Sequence, residues 1–125
     1  MYARDMKEAI VLDLTALRAS ADHNPRIERQ MVLLFMGVAE LCLVRIQGLV
    51  VRGDSREWQA VLHDLKGASA YIHATELATL CKHIVGSKDD AVSRMGAYTQ
   101  IREAYEGLVI SLRNAGLLTR ATQGE

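Results

Sequence analysis

Apolar residues recur at three- and four-residue spacing through most of the chain, the period of amphipathic α-helices. Met6, Ile10, Leu14, Leu17 and Ala21 form a modest stripe and predict a first helix over about residues 3–21. Asp22-His23-Asn24-Pro25 interrupts it: Asn24 is suited to cap the next helix and Pro25 to open its first turn, with His23 a loop residue. The following stretch, about 25–51, carries two adjacent stripes. One is Ile27, Met31, Leu34, Val38 and Leu41; the other is Phe35, Ala39, Cys42, Ile46 and Leu49. An apolar arc this wide predicts a central helix touching several others. A dimer surface would give the same pattern.

Gly53 is expected to end that helix as a left-handed C-cap, and Asp54 with Glu57 makes a variant capping box for a third helix over about 54–72. Successive helical residues turn by about 100°, which gathers Trp58, Val61, Leu62, Leu65, Ser69 and Ile72 on one face, the core side. Residues 71–76 read as a turn. A fourth helix follows with Leu77, Leu80, Cys81 and Ile84 inward and Gly86 as its stop, forming an antiparallel hairpin with the third. Ser87-Lys88-Asp89-Asp90 supplies caps for a last long helix, whose expected inner stripe is Val92, Met95, Tyr98, Ile101, Tyr105, Leu108 and Leu112. Asn114-Ala115-Gly116 ends it, and beyond Gly116 only Leu117 and Leu118 are worth burying. The pattern predicts an all-α fold: an antiparallel up-and-down four-helix bundle over about 24–116, with an additional N-terminal helix packed across it, in a single domain of 1–125.

Composition sharpens this picture. A single proline and 5% aromatic residues leave no obvious strand pairs, and the 125 residues suffice for one sizeable core. Fifteen basic and fifteen acidic residues cancel, so net charge points to neither nucleic acid nor an anionic membrane. Cys42 and Cys81 sit in apolar runs without CxxC spacing and read as small buried hydrophobes, not as a disulfide framework or a metal site. The first residues lack the charged-then-apolar pattern of a signal peptide. Glu40, Arg45 and Gln47 interrupt the apolar run of 31–51, short of the uncharged stretch of about 18 residues that spans a bilayer. A cytoplasmic monomer is expected, and the methionine start with its first helix suits a free-standing protein.

Neither a glycine-rich phosphate cradle, nor HExxH, nor a serine or cysteine paired with a base is present. The chemical candidate is His63. It projects roughly 140° from the centre of the core face of its helix, with Gln59 and Lys66 to one side and Ala60, Gly67 and Ala70 around it. An ordinary imidazole has a pKa near 6.5 and keeps one ring nitrogen free as a nucleophile at neutral pH. Lys66, one turn on, can pair with a phosphoryl group on that nitrogen. Gly67 sits mid-helix at a cost of about 0.5–1 kcal/mol relative to alanine, which suits close approach of another molecule. His73 and His83 with Cys81 form no recognised metal-ligand set.

The run His63, Leu65, Lys66, Gly67 and Ser69, followed after a turn by Leu77, Leu80 and Cys81, resembles the histidine phosphotransfer (HPt) domains of phosphorelays. The likeness extends from about Asn24 to Gly116 and includes Asp54 and Trp58. It implies a four-helix bundle whose histidine, His63, accepts a phosphoryl group from a receiver-domain aspartate and relays it to another receiver. The implied partners are therefore the receiver domains of a hybrid histidine kinase or a response regulator. Lys66 would stabilise the phosphoryl group, and Gly67 would admit the receiver's active site. No catalysis of its own and no cofactor are implied, magnesium belonging to the receiver. Two positions depart from the pattern. His73 stands where the family has a turn glycine, so a different turn geometry is expected. Val85 stands where a glutamate or glutamine orients the imidazole, a role left to water, Lys82 or His83. The alternative is an HPt-like module that binds or sequesters a partner without being phosphorylated. A dimer like that of a histidine kinase is a third reading.

Overall fold

The computed structural model describes residues 10–118. Among them it is all-helical: α1 Leu14–Ser20, α2 Pro25–Leu49, α3 Ser55–Tyr71, α4 Thr75–Val85 and α5 Ala91–Asn114. Each of α2 to α5 packs against its sequence neighbours, and α5 returns to α2, closing the up-and-down ring, with α1 laid against α2. Of the first helix expected over 3–21, residues 3–9 lie outside the described residues, and residues 10–13 are not helical. Asp13 instead caps α1, its Oδ1 accepting from Ala16 N at 3.1 Å. The backbone just ahead of α1 is bonded to the start of α4 and to the α3–α4 turn: Glu76 N donates to Ile10 O (2.7 Å) and Asp13 N to His73 O (2.9 Å). Those tertiary bonds outcompete the helical ones that periodicity alone favours, and they leave Ile10 exposed, not on an inner stripe.

Helix boundaries follow side-chain chemistry. Asn24 Oδ1 accepts from Arg26 N (2.9 Å), Asp54 Oδ1 from Glu57 N (2.7 Å) and Asp90 Oδ1 from Ser93 N (2.8 Å), each satisfying amides that a helix start leaves unpaired. The bond from Ser93 is also the main reason that the Asp90 carboxyl is held below its ordinary pKa. At the far end of α5, Gly116 takes φ +79° and Leu117 N donates to Leu112 O (2.9 Å), a Schellman ending that tucks Leu117 and Leu118 into the core. Gly53 departs from expectation, because its φ is not left-handed. Glycine is required there by close approach: a Cβ would fall 2.9 Å from the Cα of Leu49 and collide with its side chain.

The expected core faces of α3 and α4 are all buried, but α5 is phased differently. Arg94 and Ala97 point inward at its start, whereas Val92 (84% exposed) and Met95 face solvent and Tyr98 is half-buried. The reason is polar. The end of α2 leaves carbonyls without intrahelical partners, and Arg94 Nη1 donates to Leu49 O (2.8 Å) and Gly53 O (2.6 Å). Its Nη2 reaches Asp89 Oδ2 at 3.4 Å, and the guanidinium lies 5.0 Å over the Trp58 ring. One side chain therefore ties α5 to the α2–α3 junction.

Arg94→Met is expected to lose about 3 kcal/mol of stability by removing both bonds, which leaves Gly53 O without its guanidinium donor and Leu49 O with the Gly53 amide alone. Urea denaturation should show a lower midpoint at unchanged slope, while Val92→Ala stays within about 0.5 kcal/mol of wild type. Equal stability of Arg94→Met and wild type would refute the pin.

Candidate functional site

Because Trp58, Val61, Leu62, Leu65, Ser69 and Ile72 occupy the buried face of α3, His63 is forced outward, and it is exposed together with Ala60, Lys66, Gly67 and Ala70. The Ser69 hydroxyl is buried and donates to Leu65 O at 2.7 Å, a packing role within the helix. A Cβ placed on Gly67 meets nothing within 4 Å, so no packing inside the protein demands glycine there. Gln59 is half-buried, and its Nε2 donates to Val85 O at 3.4 Å, which ties this expected contact residue to the end of α4.

Beside His63 the structure opens a groove of about 670 Å³ between α2 and α3. Leu34, Phe35, Val38, Leu41, Cys42 and Arg45 line it from α2, and His63, Asp64, Gly67, Ala68 and Tyr71 from α3. The α2 stripe expected in the core thus splits. Met31 is buried, but Ile27, Leu34, Val38 and Leu41 are exposed. A bundle helix can bury only the arc facing its neighbours, and the Phe35, Ala39, Cys42 and Ile46 side fills that arc. Sequence reasoning therefore missed the groove's apolar wall, and it read Tyr71 as part of a turn although that residue closes α3. The signal was the width of the arc itself. At the groove's edge Arg45 Nη1 meets Asp64 Oδ2 at 3.1 Å; both side chains are about half exposed, so the pair adds at most about 1 kcal/mol of stability.

Other nucleophiles are quenched. Burial, with a contribution from Cys42, pushes the Cys81 thiol up to about 12, against a small opposing effect of Lys66. Burial and then Asp64 raise Cys42 as well. Neither thiol is ionised at neutral pH, and among the described residues no cluster of His, Cys, Asp and Glu could hold a metal ion. His63 makes no hydrogen bond to any described residue, and Lys66 makes no salt bridge among them. On α4, Val85 is half-buried, Lys82 is exposed and His83 is half-buried.

His73 takes φ +61°, the left-handed conformation that glycine enters freely, so the histidine holds a backbone position that suits glycine. Its Nε2 lies 2.8 Å from Ser20 Oγ, and its carbonyl holds Asp13 N, which fastens the α1 region to the turn. His23 also has positive φ and lies in the α1–α2 loop.

The Hpt domain model matches residues 30–109, more than half of the chain, and the protein belongs to the Hpt domain family, which serves histidine phosphotransfer in two-component signalling. No curated protein and no solved structure matches the chain significantly.

Gly67→Ala is expected to raise the thermal midpoint by a few degrees, since alanine fits the open space and favours helix by about 0.5–1 kcal/mol. A lower midpoint would mean that packing within the protein holds the glycine. The two thiols should react with a disulfide reagent at pH 8 only as the protein unfolds, and rapid labelling of the native protein would contradict their burial.

Proposed function

We propose that the protein accepts a phosphoryl group on His63 from the phospho-aspartate of a receiver domain and relays it to a response regulator. The observation that carries this reading is the exposure of His63 at the lip of an apolar groove, directly over Gly67, on the side of α3 opposite its buried face. A ring nitrogen of the neutral imidazole attacks phosphorus; the N–P bond forms as the aspartyl P–O bond breaks, and the aspartate leaves as carboxylate. The reverse sequence on a second receiver discharges the carrier. The Lys66 ammonium, one turn on and without a salt bridge among the described residues, offsets charge on the transferring group. Ala60, Gly67 and Ala70 keep the surface around His63 low, and Leu34, Val38 and Leu41 offer apolar area for the receiver to cover. On this reading magnesium stays with the receiver, the carrier catalyses nothing alone, and it works in the cytoplasm.

Val85 supports a second reading. With an aliphatic side chain at 85 and Gln59 engaged by the Val85 carbonyl, His63 lacks a protein partner to orient it among the described residues. A module that binds a receiver without being phosphorylated would need none.

Incubation with a phosphorylated receiver is expected to move acid-labile, base-stable phosphate onto the wild type and not onto His63→Gln, with transfer slowed about tenfold or more in Lys66→Ala. Gly67→Arg should abolish transfer while helicity stays near wild type. Receiver binding that survives His63→Ala, with no transfer from any receiver of the source organism, would instead establish the second reading.

A further inference from the structure

The apolar surface of α2 extends beyond the groove. Ile27, Leu34, Leu41 and Val44 are exposed, at 63% for Leu34, 69% for Leu41 and 68% for Val44, and they lie on the side of α2 turned away from the bundle. Their numbering, with Gln30, Gly37 and Gly48 between and after them, steps by three and four in strict alternation. That is the a/d spacing of a helix that pairs with another helix. At Gly37 and Gly48 a Cβ would meet nothing within 4 Å, so another backbone can come close there. A bundle helix has no use for a second apolar seam opposite its core.

We propose that this seam pairs with α2 of a second copy of the chain, in parallel, as a weak dimer. Charge decides both the occupant and the direction. With Leu34 and Leu41 at a, Glu40 falls at g and Arg45 at e of the following heptad, the two positions that meet across a parallel pair. Glu40 then faces Arg45 of the partner subunit, and the two-fold axis makes the contact twice. Antiparallel pairing sets e against e and g against g and forms no such ion pair. Among the described residues Glu40 accepts from the Tyr105 hydroxyl through Oε2 alone (3.2 Å), and Arg45 holds Asp64 through Nη1 alone. Each keeps capacity for a partner. The wide α2 arc was open to a dimer surface as well as to a bundle core, and Ile27, Leu34, Val38 and Leu41 of that arc are exposed.

The seam also has a regulatory consequence, which rests on the reading of His63 as a receiver's target. Leu34, Leu41 and Arg45 line both the groove and the seam, so a dimer and a docked receiver compete for the same side chains.

The test is molar mass by light scattering or sedimentation, followed from about 1 to 200 µM, the range in which a small interface associates. The wild type is expected to rise from the 13.8 kDa of one chain towards twice that value. Val44→Glu, which does not line the His63 groove, should stay monomeric with unchanged helicity and unchanged phosphotransfer at low concentration. Glu40→Arg and Arg45→Glu should each weaken self-association about tenfold, and an equimolar mixture of the two should restore it, because the mixed pair carries both ion pairs. A wild-type mass of one chain up to the highest concentration overturns the proposal, as does self-association indifferent to Val44→Glu. Failure of the mixture to regain mass overturns the parallel arrangement on which the proposal rests. A chain that stays monomeric yet binds phosphatidylcholine vesicles through Val44 would show that the seam faces lipid, and also overturns it. The mass and vesicle readouts do not depend on phosphotransfer, so they can fail while the function of His63 stands.

Discussion

The burial of one face of α3 is the constraint on which the rest depends. Six side chains from Trp58 to Ile72 point inward, and His63 faces outward only because the helical period allows it no other direction. The helix is held at both ends. Arg94 lies over Trp58 and bonds carbonyls of the α2–α3 junction at one end. At the other, His73 receives Asp13 and Ser20 from the chain ahead of and within α1. A slip of a single residue would swing the imidazole by about 100° and bury or misdirect it. Residues far from His63 therefore set the direction of its ring by fixing the phase of its helix.

Chemistry at the exposed face is simple because competing groups are withdrawn. The two cysteines are buried, and burial raises both thiols, so they remain protonated at neutral pH. The nearest carboxylate along the chain, Asp64, is drawn into a pair with Arg45. What remains beside the groove is a histidine, a lysine one turn on and apolar or small neighbours. A partner that brings its own aspartyl phosphate and metal ion needs little more from this side than a positioned nitrogen and a surface it can cover.

The phase of α3 and α4 was legible in the sequence because the large apolar residues from Trp58 to Leu65 and from Leu77 to Ile84 agree on one face. Caps were legible where an Asn or Asp oxygen had a single nearby use, as at Asn24, Asp54 and Asp90. Three features were not, each because a tertiary contact overrides a local rule. Arg94 scores as polar and yet is buried, since the carbonyls it bonds come from Leu49 at the end of α2 and from Gly53, more than 40 residues away in sequence. Gly53 looks like a left-handed cap but is demanded by the backbone of Leu49. Residues 10–13 belong to a stretch with helical periodicity, yet the backbone of Ile10 and Asp13 bonds to the start of α4 and to the α3–α4 turn. At the site, His63, Lys66 and Gly67 could be placed from spacing alone, whereas the groove could not, because spacing does not say which part of a wide arc the neighbours will cover.

That wide arc raises a question of economy within the fold. By length and composition α2 is apolar enough to cross a bilayer, a test that the core helix of a bundle also passes. Here the Phe35 to Ile46 face is packed beneath the other helices, and the opposite face is the surplus. Exposed leucine and valine in register are an association hazard unless charge keeps copies apart. This chain has a formal net charge of zero at pH 7, so no long-range repulsion opposes an encounter between copies. The local charges along the seam, Glu40 and Arg45, are arranged to attract across a parallel pair. Where bulk repulsion is absent, such local charges choose the partner and its direction, and the seam's overlap with the groove then links self-association to the availability of His63.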